Sequence, residues 1–205
     1  EAERMVRSLQ PISELLEARI GVPVYHFIAT SFLGVVEALR TGKVDVAILG
    51  PFAMIMAEDR AGAVIILNSV RRGADSYRAQ INVRADSGIN SIADLKGKVW
   101  GYVDELSTSG FLFPYAMLKE HGIDPERDLT MVKVGAHDAA VLAVYHGDVD
   151  FSTTFEDARA DVVDEAADVM QKVRVLAYTE PIPNDGVVVR KELHPDVVRK
   201  IQQAF

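Results

Sequence analysis

One sequence pattern recurs half a chain apart and constrains the fold more than any other feature of these 205 residues. Val35–Leu49 reads VVEALRTGKVDVAIL, and Ala140–Thr154 reads AVLAVYHGDVDFSTT. Each is an apolar helical stretch, then Gly-x-Val-Asp, then a strand. Gly42 matches Gly147 and Asp45 matches Asp150. A unit repeated at that separation reads as two similar lobes, although helix–Gly–strand junctions also recur by chance in α/β chains. Helical and strand periodicities alternate along almost the whole chain. Such alternation builds sheets from right-handed strand–helix–strand crossovers. The expected fold is therefore α/β with two lobes, each a mainly parallel sheet flanked by helices. A ligand cleft is expected between the lobes, at the carboxyl ends of the strands.

The periodicity predicts a first helix through Leu9, Ile12, Leu15, Leu16 and Ile20, stopped by Gly21. It predicts helices over Phe32–Arg40 behind a Ser31 cap, Pro51–Arg60, Ser109–His121, Asp138–Tyr145, Glu156–Asp164 and Pro195–Phe205. Strands are expected at Val22–Ala29, Val44–Leu49, Ala63–Asn68, Tyr77–Val83, Lys98–Tyr102, Leu129–Val134, Val149–Thr153, Val173–Ala177 and Val187–Val189. Residues 1–79 with 187–205 then form lobe one and 83–179 lobe two, with crossings at 80–82 and 180–186. The chain starts and ends in helical pattern, which reads as trimming at both ends of lobe one. Glu1-Ala2-Glu3-Arg4 also lacks the basic-then-apolar start of a secretory signal.

Composition removes several function classes. With no cysteine, disulfides, thiolate nucleophiles, iron–sulfur clusters and Cys-type zinc sites are all excluded. No histidine spacing suggests another metal site, and no cofactor is expected. Lys and Arg total 22 against 30 Asp and Glu, a net charge of -8 with no basic cluster, which argues against nucleic acid as a partner. No apolar run reaches the ~18 residues of a membrane span.

Asp104-Glu105-Leu106-Ser107-Thr108-Ser109-Gly110-Phe111 follows a predicted strand and opens a predicted helix. A helix start carries unpaired N–H groups and about half a positive charge. Hydroxyls at Ser107, Thr108 and Ser109 add donors there, a neutral cradle for a tetrahedral oxyanion. Plain capping by one of the three explains the run as well. No Gly-Lys-Ser/Thr follows, so it is not a nucleotide-binding P-loop. His137 sits at the next strand–helix turn of the same lobe, placed to donate to an anion oxygen or simply to cap. Asp185, before the strand Val187–Val189, reads as a turn acid or as an acceptor for a protonated ligand oxygen. Glu156 and Asp157 end another strand and suit a ligand ammonium, and Tyr77 lies near the first crossing with a hydroxyl to donate. Ser107, His137 and Asp185 are the residue types of a hydrolase triad, but no G-x-S-x-G elbow is present, and the chain reads as a binder without catalytic residues.

Gly50-Pro51-Phe52-Ala53, Ile92-Ala93-Asp94-Leu95-Lys96-Gly97-Lys98, Ser107-Thr108-Ser109-Gly110, Gly135-Ala136-His137-Asp138-Ala139-Ala140 and Ile182-Pro183-Asn184-Asp185 occur in that order. Together they resemble the phosphate-, phosphite- and phosphonate-binding proteins of bacterial ABC importers, which have the type II periplasmic binding-protein fold. The resemblance runs from about Pro11 to the end. It implies that Ser107, Thr108 and Ser109 hold the phospho group, with His137, Asp185 and Tyr77 beside them. Glu156 or Asp157 answers to the acids that take an ammonium in members binding aminoalkyl phosphonates. Leu49 stands where some members carry an aromatic residue. The resemblance further implies a monomeric receptor, periplasmic or anchored outside the membrane, that hands its ligand to a membrane permease. Domains of this fold also serve as sensors in signalling proteins, which is the alternative role.

Overall fold

The repeated Gly-x-Val-Asp is a helix stop joined to a strand entry, and it has the same physical job in both places. Gly42 and Gly147 take φ of 70° and 84°, a left-handed conformation that an L side chain strains to adopt. Asp45 then holds Arg190, whose Nε donates to Asp45 Oδ1 at 2.6 Å. Asp150 accepts the Val99 N–H on its carboxylate at 2.8 Å. Each aspartate thus ties its own strand to the neighbour it pairs with.

The structure, a computed structural model, describes residues 2–71 and 73–205; Glu1 and Arg72, which fall within the predicted lobe one, lie outside it. The chain runs α1 (Ala2–Ile20), α2 (Phe32–Arg40), β1 (Val46–Leu49), α3 (Pro51–Ala61) and β2 (Val64–Asn68). There follow β3 (Ser76–Arg84), β4 (Val99–Tyr102), α4 (Phe113–Glu120), α5 (Pro125–Asp128), β5 (Thr130–Lys133), α6 (His137–His146), β6 (Phe151–Phe155), α7 (Val169–Lys172) and β7 (Val173–Pro183). It ends with β8 (Gly186–Val189) and α8 (Pro195–Ala204). Two units result: unit 1 is Glu1–Leu49, Ala53–Ser69 and Asp185–Phe205, and unit 2 is Gly50–Phe52 and Val70–Asn184.

Unit 1 is a three-stranded sheet in the order β1-β8-β2, with β8 antiparallel to both neighbours. Leu16 and Ile20 of α1 and Ile201 of α8 bury against Val189 of β8. Ser31 caps α2 as expected, its hydroxyl accepting the Gly34 N–H at 3.1 Å.

Unit 2 is a five-stranded sheet in the order β5-β4-β6-β3-β7. β4 pairs in parallel with β5 and β6, while β3 is antiparallel to β6 and β7. One face carries Ile81, Leu95, Trp100, Leu118 and Phe151, all without solvent exposure. The other carries Val141 and Val144 of α6 with Val149, Ala158, Val162 and Val169. A sheet covered on both faces keeps its strand ends as the places where polar loops reach water.

Four sequence expectations are corrected. Neither sheet is mainly parallel: both pairings in unit 1 are antiparallel and the sheet of unit 2 is mixed, because β3, β7 and β8 run opposite to the strands they join. Val22–Ala29 forms no strand, and Val22, Tyr25 and Phe27 are exposed at 54%, 87% and 52%. No described strand lies beside it to complete a ladder, and Pro23 has no N–H to donate. β6 starts two residues later than expected because Asp150 is spent on Val99. In place of a helix over Glu156–Asp164 there is a left-handed Asp157 and a 3₁₀ turn, Ala158–Val162.

Candidate functional site

Parallel strands β5, β4 and β6 end at one edge of unit 2, so the loops that leave them cluster there. β4 leads into Ser107, Thr108 and Ser109, β5 into His137, and β6 into Glu156 and Asp157. β3 runs the other way and enters the sheet at the same edge, with Ala79 opposite Phe155, so Tyr77 belongs to this group. Tyr77 is half-buried and pairs with Ile182. Asp185 is half-buried at the head of β8 and belongs to unit 1, where its carbonyl accepts the Ser69 N–H at 2.8 Å.

Ser107, Thr108 and Ser109 are buried, at 4%, 4% and 3% exposure. The helix they open begins with an over-wide turn. Phe111 and Leu112 N–H both reach Ser107 O, at 3.1 and 3.0 Å, and Phe113 N–H reaches back five residues to Thr108 O. Such i→i+5 turns are rare and concentrate at functional sites. Ser107 caps this turn, its Oγ accepting the Gly110 N–H at 3.0 Å. Thr108 Oγ1 accepts the Phe52 N–H at 2.9 Å. Both hydroxyls keep their own proton to donate. Ser109 Oγ meets no hydrogen-bond partner among the described residues, and the Thr108 and Ser109 N–H groups find no backbone acceptor there.

A relay from the core fixes this turn from behind. Trp100 Nε1–H donates to Thr153 Oγ1 at 3.0 Å, and the Thr153 hydroxyl donates to Gly110 O at 2.7 Å. A methyl group on Gly110 would sit 2.6 Å from Val103 Cβ and 2.8 Å from Ser107 Oγ, so only glycine lets the turn approach β4 this closely. The sequence reading missed Thr153. On a strand it looked like one more β-former.

His137 opens α6 and lies against the end of β6. Its Nδ1 accepts the Phe155 N–H at 3.3 Å and its ring meets that of Phe155 at 4.7 Å. A backbone N–H can only donate, so Nδ1 is bare and the ring proton sits on Nε2, a neutral donor. Burial pushes its pKa down to about 4 from an ordinary 6.5. Between those values the unfolded chain holds a proton that the folded chain lacks. This contribution to stability is therefore complete above pH 6.5 and lost as the pH falls to about 4. Allowing for the ring's residual contact with water, the acid loss is about 2 kcal/mol. His137→Gln should flatten that limb of a stability-against-pH curve measured by urea unfolding. An unchanged slope would show that another group carries it.

Glu156 and Asp157 are exposed. Asp157 takes φ 65°, alone among the described non-glycine residues. Gln80 holds it there, its Oε1 accepting the Asp157 N–H at 3.1 Å. Behind it runs a buried chain in which Gln80 Nε2 donates to Asn82 Oδ1 at 2.8 Å and Asn82 Nδ2 to Thr154 Oγ1 at 2.9 Å. The alternation of Gln80 and Asn82 on one strand, opposite Thr154 and Ser152, was the legible sign of a polar strip on one face. Ser107 and His137 each spend side-chain acceptor capacity on a backbone N–H, not on one another.

The family described as "ABC transporter, phosphonate, periplasmic substrate-binding protein" matches residues 1–205. The "Phosphate-import protein PhnD" of Mycolicibacterium smegmatis is 30% identical over 210 residues, covering 97% of this chain and 65% of its own. The "Phosphonates-binding periplasmic protein" of Escherichia coli K12 is 30% identical over 201 residues, covering 95% of this chain and 59% of its own. The chain thus spans about three fifths of the length of these relatives. A crystal structure of a binding protein component of an ABC phosphonate transporter from Pseudomonas aeruginosa superposes with a TM-score of 0.92 at 25% identity, covering 99% of this chain and 69% of that one. Full-length family coverage agrees with the two-unit α/β fold and with the loops that gather at one edge of unit 2. The chain belongs to the family of phosphonate-type periplasmic substrate-binding proteins of ABC transporters.

Proposed function

We propose that this chain captures a small phosphorus oxyanion (phosphate, phosphite or an alkylphosphonate) and delivers it to a membrane permease. The observation that carries the reading is the helix start at Thr108–Ser109, where two backbone N–H groups have no backbone acceptor and the Ser109 hydroxyl has no hydrogen-bond partner among the described residues. The relatives in M. smegmatis and E. coli are named for phosphate and for phosphonates respectively, which supports the phosphorus oxyanion class and leaves the substituent to experiment. In this reading Ser107, Thr108 and Ser109 donate hydroxyl protons to the ligand oxygens, and His137 donates from a neutral Nε2. Asp185 accepts from a protonated ligand oxygen, and Tyr77 donates its phenol. Glu156 and Asp157 take an ammonium where the ligand carries one. The protein acts as a periplasmic, monomeric and non-catalytic receptor.

The test is calorimetric titration with phosphate, phosphite, methylphosphonate and 2-aminoethylphosphonate. At a hundredfold excess over Kd, the bound ligand should also raise stability by about 2.7 kcal/mol. Ser109→Ala should weaken the preferred ligand by about 1.5–3 kcal/mol, the worth of a hydrogen bond to a charged group. Ser31→Ala, which removes the cap of α2 in unit 1, should leave affinity unchanged and cost about 1 kcal/mol of stability. Equal affinities for wild type and Ser109→Ala would place the site elsewhere.

A further inference from the structure

Two carboxylates stand just ahead of the hydroxyl run, an awkward place for acids beside a site built to hold an anion. Asp104 is buried at 4% exposure, three residues before Ser107. Its carbonyl accepts the Ser107 N–H at 2.9 Å, and its Oδ1 accepts the Leu106 N–H at 2.9 Å. It is therefore built into the turn that opens the helix. Glu105 follows, and Tyr102 OH donates to its Oε1 at 2.8 Å. One cation answers both acids. Lys133, the last residue of β5, places Nζ 2.8 Å from Asp104 Oδ2 and 2.6 Å from Glu105 Oε2. Its register partner on β4 is Tyr102, so the sheet itself sets this contact. Burial pulls the ammonium's pKa down, but hydrogen bonds to Asp104 and Glu105 outweigh it and hold the group charged.

We infer that Lys133 is a positioning residue for the anion site: without touching the ligand, it offsets one of the two negative charges that Asp104 and Glu105 place at the helix start and so sets the preference for dianionic over monoanionic ligands. The inference rests on the oxyanion site proposed above. Removing the ammonium leaves a buried carboxylate within one helical turn of the bound anion, where Coulomb repulsion is poorly screened. That penalty grows with ligand charge. A loss of turn geometry alone would weaken every ligand alike.

The experiment is calorimetric titration of methylphosphonate, as the dianion, and of its monomethyl ester, a monoanion, at a pH that fully ionises both. Lys133→Met should weaken the dianion by about tenfold or more and the monoanion clearly less. Lys133→Arg should stay within about threefold of wild type, since it preserves the charge. Asp104→Asn keeps an oxygen for the Leu106 N–H, so it should recover most of the loss when added to Lys133→Met. Alone it should bind the dianion more tightly than wild type, a result that stands even if Lys133→Met folds poorly. Equal losses for both ligands, or no recovery with Asp104→Asn, would overturn the inference. Wild-type binding matched by Lys133→Met would also overturn it while leaving the oxyanion reading intact. Wild type that binds neither these ligands nor inorganic phosphate would overturn both.

Discussion

Trp100→Ala is expected to destabilise unit 2 by about 3–5 kcal/mol, the range for deleting a fully buried large aromatic side chain. Trp100 has no exposed surface and lies between Phe111 and Phe151, with ring centroids at 5.6 and 6.1 Å and planes within 4° of parallel. Its removal opens a cavity in the cluster that joins β4 and β6 to the opening turn of the helix. It also strips Thr153 of the indole N–H. The check is urea unfolding followed by circular dichroism, because the variant loses the chain's one tryptophan. Trp100→Phe should cost clearly less, as it retains the stacking and leaves Thr153 to donate to Gly110 O. A midpoint for Trp100→Ala within error of wild type would mean that the cluster does not hold the unit together.

Gly110→Ala should cost about 3 kcal/mol, the upper part of the usual overpacking range. The obstacle is not a flexible chain end. The added methyl meets Val103 Cβ and Cγ2, both at 2.6 Å, with Ser107 Oγ at 2.8 Å. Relief requires the turn to lift away from β4, which breaks the Ser107 cap and swings the Ser109 hydroxyl out of place. Affinity for the oxyanion ligand proposed above should therefore fall together with the melting temperature. Gly97→Ala serves as the comparison. Alanine at Gly97 would have to adopt φ 79°, which strains an L residue, but it would meet open space, so stability should fall modestly and affinity not at all. Retained wild-type affinity in Gly110→Ala would show that the close approach is dispensable.

What the sequence showed and what it hid divide along physical lines. Glycines at helix ends were readable because a left-handed turn demands them, as at Gly42 and Gly147. The hydroxyl run and His137 were readable because loops after adjacent strands converge whatever the strands contain. Strand direction was not. β8 reads as three apolar residues, and nothing local says that it runs against both neighbours. The left-handed backbone of Asp157 was hidden because it depends on Gln80, which lies 77 residues away in sequence. The Lys133 contact with Asp104 was hidden in the same way, since each charge alone looks like an ordinary exposed one. Val22–Ala29 shows the reverse error. Its residues prefer a strand, yet β structure forms only where a neighbour offers hydrogen bonds.

The central position of β8 in unit 1 has a consequence for the order of assembly. β1 and β2 both pair with β8, a strand that follows unit 2 in sequence, with Val46 and Val64 both opposite Val189. As the chain emerges from the ribosome, unit 2 is complete in sequence once Asn184 has been made. Unit 1 at that moment lacks its middle strand and presents two open edges. Pairings across so long a loop form slowly because their closure entropy precedes any gain. Unit 2 should therefore gain protection from proteolysis first, with unit 1 closing last around β8. Until it closes, β1 and β2 are the part of the nascent chain most exposed to mispairing with other chains.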